Sequence, residues 1–547
     1  MKKIFMSALF CLSCAIPTFS CTNILVGKLA SADGSTMISY SADSYNLYGE
    51  LYHWPTKKYT KGDKLKVYEW DTGKYLGEIA QALQTYNVVG NTNEHQLTIG
   101  ETTFGGREEL TNPDGIIDYG SLIYITLQRA KTAQEAIKVM TDLVNEYGYY
   151  SGGESFSIAD PNEIWVLEMI GKGKGVKGAV WVAVRIPDDC ISAHANQARI
   201  QQFPLKDSKN CIYSQDVISF AREKGYFNGK DEDFSFAKAY NPLDFGGQRF
   251  CEARVWSFFN RYNKDMAKYE SYAQGKTHDA MPLYIKPDRK LSLSDVQEMM
   301  RDHYEGTALD SRNDISAGAF GSPYRWAPLT WKVDDVEYCN ERPIATQQTG
   351  FVFVSQMRSW LPNPIGGILW FGTDDAGQTV FTPMYCSLTE IPESFRVGNG
   401  DLYTFSWTSS FWINNWVANM VYNRYNQMYP DMKKVQDELE TKFRTDQVVA
   451  DQKALALYNE SPAKALEFVN QYSADQAAYT LDKWKKLGEF LLIKYMDGVI
   501  RKETNGEFTR NEYGSPSSPQ RVGYPAEFYQ KVVKETGDRY KVIEKEK

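Results

Sequence analysis

Pairs of short apolar runs joined by turn residues, with a capped helix set between them, constrain this chain to an antiparallel sheet core covered by helices. Cys21–Lys28 reads as a buried strand, Ala32-Asp33-Gly34-Ser35 as a turn and Thr36–Ser41 as the returning strand, so this stretch opens as a hairpin. Alternating segments continue through Tyr86–Phe104. The spacing of Ala133, Ile137, Met140, Val144 and Tyr147 predicts a helix over Ala133–Tyr147, with a capping box from Thr132 and Glu135. Strand-like runs then return. Ser155–Ala159 and Ile164–Met169 flank the turn Asp160-Pro161-Asn162-Glu163, and Ala179–Ile186 leads through Pro187-Asp188-Asp189 into Cys190–Asn196. A second capped helix is expected from Ser294 to about His303. From Leu402 the pattern turns helical, over Phe411–Tyr429 and, after Ser461-Pro462, over Ala463–Met496, in one piece or two. The polar C-terminal end reads as a surface loop with a short tail helix. The fold class is α+β, and the chain divides into 1–20, 21–401 and 402–547.

The first of these segments has the make-up of a secretory leader. Lys2 and Lys3 precede a mostly apolar Ile4–Ile16, Pro17 ends any helix, and Thr18 and Ser20 are small enough for a leader-peptidase site. Cleavage after Ser20 makes Cys21 the first residue and implies an exported protein, periplasmic or secreted. No later apolar run reaches about 18 residues, so no membrane span is expected. With 547 residues, 42% hydrophobic and 24% charged, the composition is globular, and a core of this size needs no disulfide staples. A net charge of −8 argues against a nucleic-acid partner. Of eight cysteines, Cys11 and Cys14 leave with the leader, and the other six show no metal-ligand spacing. Export permits bridges, and Cys190 and Cys211 are the nearest two in sequence.

A cysteine at a new N-terminus carries nucleophile and base on one residue. Its α-amine, near pKa about 7.7–8.0, can take the proton of a thiol near about 8.5 and later pass it to a leaving amine. No histidine is needed, and nothing in the spacing of His53, His95, His194, His278 and His303 singles out a Cys-His pair, which stays open as an alternative. Two other readings of Cys21 stay open here: a lipid-attachment site, which the bulky Phe19 fits poorly, and a structural cysteine. Gly173-x-Gly175-x-x-Gly178 fits a dinucleotide pattern literally but leads into a strand, so it reads as a hairpin loop.

Cys21-Thr-Asn-Ile-Leu-Val-Gly-Lys, then Asp33-Gly34-Ser35-Thr36-Met37-Ile38 and Asp43-Ser44, resembles the start of the dipeptidase A family of N-terminal-nucleophile (Ntn) cysteine hydrolases. The resemblance continues at Asn93-Glu94, His194-Ala-Asn-Gln-Ala-Arg-Ile200, Arg254-Val-Trp256, Arg301-Asp-His-Tyr-Glu-Gly-Thr307, Glu341-Arg-Pro-Ile344 and Trp370-Phe-Gly372. It implies a four-layer αββα sandwich over 21–401 with a helical C-terminal extension, no metal or organic cofactor, and small peptides as substrates. It casts Cys21 as nucleophile, Asp43 as the acid that holds the amine and thiol, Asn196 as an oxyanion donor, Asn93 as a second donor, and Arg254 as a cation favouring thiolate. Tyr40 stands where distant kin carry an arginine. A dipeptidase must also meet a free ammonium and a free carboxylate. Arg199, Arg254 and Arg312 are candidate partners for the carboxylate, and Asp302 and Glu305 are acids available for the ammonium. N-acyl amides are the alternative substrates of the same chemistry, a lipid-anchored binding protein is the alternative class, and a homo-oligomer is compatible with the sequence.

Overall fold

A computed structural model of the chain describes residues 21–326 and 328–543. The leader expected over 1–20 lies outside the described residues. Two antiparallel sheets form the body. The seven-stranded sheet runs Tyr284–Ile285, Ile191–His194, Thr22–Val26, Thr36–Asp43, Thr349–Met357, Gly367–Thr373, Thr382–Tyr385. The eight-stranded sheet runs Cys211–Tyr213, Ala179–Ile186, Ile164–Gly171, Gly153–Ala159, Thr98–Gly105, Thr92–Asn93, Val88–Val89, His53–Trp54.

The opening hairpin forms as expected, with Thr22 opposite Ser41 and Asn23 opposite Tyr40. Alternation along Thr22–Val26 then sorts its side chains. Leu25 joins Ile38, Met357, Ile164 and Val166, a cluster drawn from both sheets. Ile24 and Val26 join Val255, Trp256 and Phe258 of the helix Ala253–Tyr262. Polar side chains also bridge the sheets: Thr98 Oγ1 to Ser355 Oγ at 2.7 Å, and His194 between Thr102 Oγ1 at 2.7 Å and Ser157 Oγ at 2.6 Å. The other side of the eight-stranded sheet packs Ile158, Trp165 and Leu167 against the helices Tyr119–Leu127 and Ala133–Tyr147. The second of these has the expected bounds. Thr132 accepts from Glu135 N, while the Glu135 carboxylate reaches back to Lys131 N instead of Thr132 N.

Two expectations change in detail. Cys190–Asn196 does not extend the sheet of Ala179–Ile186. Its strand, Ile191–His194, crosses over and pairs with Thr22–Val26. The crossing brings Asp188 O so close to Gly27 that a Cβ there would lie 2.4 Å away, so only glycine fits. Phe411–Tyr429 is two helices, Ser410–Asn423 and Tyr425–Glu460, broken at Arg424, whose backbone is non-helical at φ −136°, ψ 51°. Arg424 Nη1 donates to Tyr495 O at 2.9 Å, a partner 71 residues away. Ala463–Met496, by contrast, lies almost wholly in one helix, Pro462–Tyr495, with Pro462 at its first position. The tail helix is Ala526–Thr536. Side chains of the long C-terminal helices share the core of the seven-stranded sheet. The six cysteines among the described residues are free, so Cys190 and Cys211 form no bridge.

Candidate active site

The hairpin register sets the site. With Thr22 opposite Ser41, Cys21 lies beside the end of the returning strand, near Asp43. Cys21 is only 5% exposed. Its Sγ lies 3.8 Å from the Tyr40 hydroxyl and 3.6 Å from Glu101 Oε1, and Tyr40 also donates to that same oxygen. Burial first, then the negative fields of Glu101 and Asp43, push the thiol well above its ordinary pKa, against hydrogen bonding with the Asp43 backbone and Tyr40. The resting sulfur is therefore a thiol, and it needs a base before it can attack.

Asp43 is fully enclosed. Its carboxylate accepts from Arg342 Nη2 at 2.8 Å, Thr349 Oγ1 at 2.7 Å and Ser41 Oγ at 3.2 Å. Burial still outweighs these partners and raises its pKa. Arg254, on the helix Ala253–Tyr262, ties the remaining parts together. Nη1 donates to Cys21 O at 2.6 Å and Thr22 Oγ1 at 2.8 Å, and Nη2 donates to Ala195 O at 3.1 Å and Asn196 Oδ1 at 2.9 Å. Asn196 adopts φ 62°, a left-handed conformation tolerated by asparagine, just past the strand Ile191–His194. One of its amide protons goes to Thr103 O at 2.8 Å, which leaves the other for a ligand. Cys21, Asp43, Arg254 and Asn196 are thus brought together. Arg254 serves differently from the sequence expectation: its protons are spent on the nucleophile's own carbonyl and on fixing Asn196, while the thiol is driven up, not down.

Five other candidate residues lie outside this group. Asn93 donates both amide protons to Leu127 O and Ala130 O, each at 2.8 Å, and its Oδ1 accepts from His95 N and Leu97 N. It closes a loop and has no proton left for an oxyanion. Arg199 is buried against Glu252 at 2.7 Å, and its other donors reach the carbonyls of Ala193, Pro282 and Leu283. Arg312 forms a two-pronged pair with Asp310, at 2.9 and 2.7 Å. Asp302 is held by Ser257 and Arg261, and Glu305 by His303.

Glu101, Arg342 and Thr349 were not assigned roles from the sequence. Arg342 falls within Glu341-Arg-Pro-Ile344, where the resemblance gives it no function. Glu101 sits in Thr98–Gly105, where a glutamate reads as the polar side of an alternating strand. Among the described residues no group of three or more His, Cys, Asp or Glu is disposed to hold a metal ion, and no helix is long and apolar enough to cross a membrane.

Comparison with known proteins follows the same outline. The family model of Peptidase family C69 matches residues 20–53 and 50–438. A probable dipeptidase of Latilactobacillus sakei is 24% identical over 483 residues, covering 84% of this chain and 92% of its own. A probable dipeptidase of Salmonella dublin is 27% identical over 385 residues, 67% of this chain and 81% of its own. Dipeptidase A of Lactobacillus helveticus is 25% identical over 457 residues, 80% and 86%. The match begins at the residue before the buried thiol and runs through Asp43, Asn196, Arg254 and Arg342: the chain belongs to peptidase family C69.

Proposed function

We propose that this protein is an exported cysteine dipeptidase whose nucleophile, Cys21, becomes N-terminal when a leader is removed after Ser20. The observation that carries the reading is the arrangement around Cys21: a protonated, buried thiol whose carbonyl is linked through Arg254 to Asn196. A thiol raised in pKa needs a proton acceptor at hand, and the α-amine of a first residue is one bond from the Cα that bears the side chain. The amine takes the thiol proton as sulfur attacks the scissile carbonyl carbon. The free amide proton of Asn196 meets the developing oxyanion. Collapse breaks the C–N bond, and the proton passes from the ammonium to the leaving amine. Water then adds to the thioester, and the acid is released as the thiol is restored.

The dipeptidase names of the relatives support the substrate class, and short peptides are the substrates we assign. The layering of two sheets with helices on either side supports the four-layer αββα sandwich of Ntn hydrolases. We take 21–401 as the catalytic body and the helical region from 402 as an extension packed on it.

The test is a panel of dipeptides against N-acyl amino acids, using mature protein and its Cys21→Ala variant. Dipeptide hydrolysis lost in the variant is the expected result. Turnover of N-acyl amino acids alone would replace the dipeptidase by an acylase, and turnover independent of Cys21 would remove the mechanism.

A further inference from the structure

The acids next to the nucleophile are not accounted for by the reaction just described. Glu101 and Glu154 are 1% and 0% exposed, on neighbouring strands. Glu101 Oε1 takes the Tyr40 hydroxyl, and Glu154 Oε2 takes Thr103 Oγ1 at 3.1 Å. The two remaining oxygens, Glu101 Oε2 and Glu154 Oε1, are buried with no donor from the protein. Burial, then the charge of Glu101, drives the Glu154 carboxyl well above the usual carboxylate range, so Glu154 rests protonated. A donor that arrives with substrate can take that proton's place. Tyr40, which donates to Glu101, also lines a small aromatic cavity with Trp70, Tyr119, Tyr124 and Phe351. Tyr119 donates to Asp71 at 2.9 Å.

Building on the dipeptidase reading, we propose that Glu101, backed by Glu154, binds the free α-ammonium of the substrate and so restricts cleavage to the first peptide bond. The covalent geometry fits. An α-nitrogen lies about 2.5 Å from the carbonyl carbon of its own residue. With sulfur about 3–3.5 Å from that carbon before attack, the ammonium falls within reach of a carboxylate 3.6 Å from Sγ. The ammonium then finds an unmet acceptor and, beside it, aromatic faces that favour a cation. An N-acylated substrate brings no charge and leaves the acceptors unmet.

The experiment measures kcat/KM for a dipeptide and for its N-acetylated form, with wild-type enzyme and with Glu101→Gln. The expected wild-type preference for the free amine is about 10- to 100-fold, as for a hydrogen bond to a charged group. Glu101→Gln is expected to collapse that preference, mainly through a higher KM for the free dipeptide. A preference that survives the substitution overturns the proposal. So does an equal fall on both substrates, which would mean that Glu101 serves the enzyme's own amine. Should the variant fail to fold, the wild-type ratio decides alone: a value near one overturns the proposal. Wild-type enzyme that cleaves no dipeptide would instead overturn the dipeptidase reading.

Discussion

Two buried charge clusters in this molecule are built on opposite plans. Where the C-terminal helices meet the body, Arg301 lies against Glu440 of the helix Tyr425–Glu460. Arg301 also donates to Glu298 at 2.7 Å and to the carbonyls of Ala376 and Thr379, and Glu440 Oε1 additionally accepts from Phe381 N at 2.9 Å. Around Cys21 the excess is of acceptors: Glu101 and Glu154 each keep a buried oxygen without a donor from the protein, and the thiol is pushed up by burial and by the fields of Glu101 and Asp43. A buried charge fully met from within holds elements together. Removing one partner strands the other in a low dielectric. A buried charge short of partners costs stability unless something from solvent completes it. The first cluster clamps the fold, and the second is where we propose the chemistry.

Substitutions sharpen or break that contrast. Cys21→Ala is expected to abolish hydrolysis while leaving thermal unfolding close to wild type, checked by a dipeptide assay beside calorimetry. Glu440→Ala is expected to do the reverse. It should destabilise the fold by about 3 kcal/mol, since Arg301 loses its buried partner and keeps only the half-exposed Glu298, with activity per folded molecule retained. Denaturant unfolding followed by an active-site titration checks both halves. Asn196→Ala is expected to lower kcat by about 10²–10³, the usual loss for one oxyanion donor, with little change in KM. An unaffected kcat would assign Asn196 to structure alone.

A smaller effect concerns acid. His194 is buried between the sheets, and burial, then Arg199, lowers its pKa to about 3. Between that value and the unfolded pKa near about 6.5 the unfolded chain binds the extra proton. Stability from this group is therefore full above about 6.5 and is lost as pH falls, by roughly 1.4 kcal/mol per unit. His194→Asn should flatten that slope in unfolding curves taken from pH 7 to 4.5. Smallest of all is Arg312→Ala. Its guanidinium is 40% exposed and pairs with its own neighbour, so both activity and stability should change by less than about 1 kcal/mol.

Sequence legibility followed the range of the interactions. The hairpin at Cys21 and the helix Ala133–Tyr147 could be read because turns, caps and periodicity act over a few residues. The crossover of Ile191–His194 to the other sheet could not, because it depends on Pro187-Asp188-Asp189 meeting Gly27 in space. Nor could the break at Arg424, whose partner Tyr495 lies at the far end of another helix. Cys21, Asp43, Asn196 and Arg254 stand as candidates through resemblance, and the structure brings them together. Arg254 was expected to act by charge, but its charge is absorbed by carbonyl oxygens that a sequence does not reveal. Asn93 was cast as a donor although its protons belong to a loop. The burial of Glu101 beside Cys21 cannot be seen in a single polar letter of a strand.

The central claim is that Cys21 acts as a free N-terminal residue. It is tested most directly by the mass and N-terminal peptide map of active enzyme from its native host, before and after brief reaction with a slow ester or peptide substrate. The expected result is a chain that begins at unmodified Cys21 and gains the mass of one acyl group on that residue. Active enzyme in which Cys21 is internal, or its amine is blocked, would contradict it.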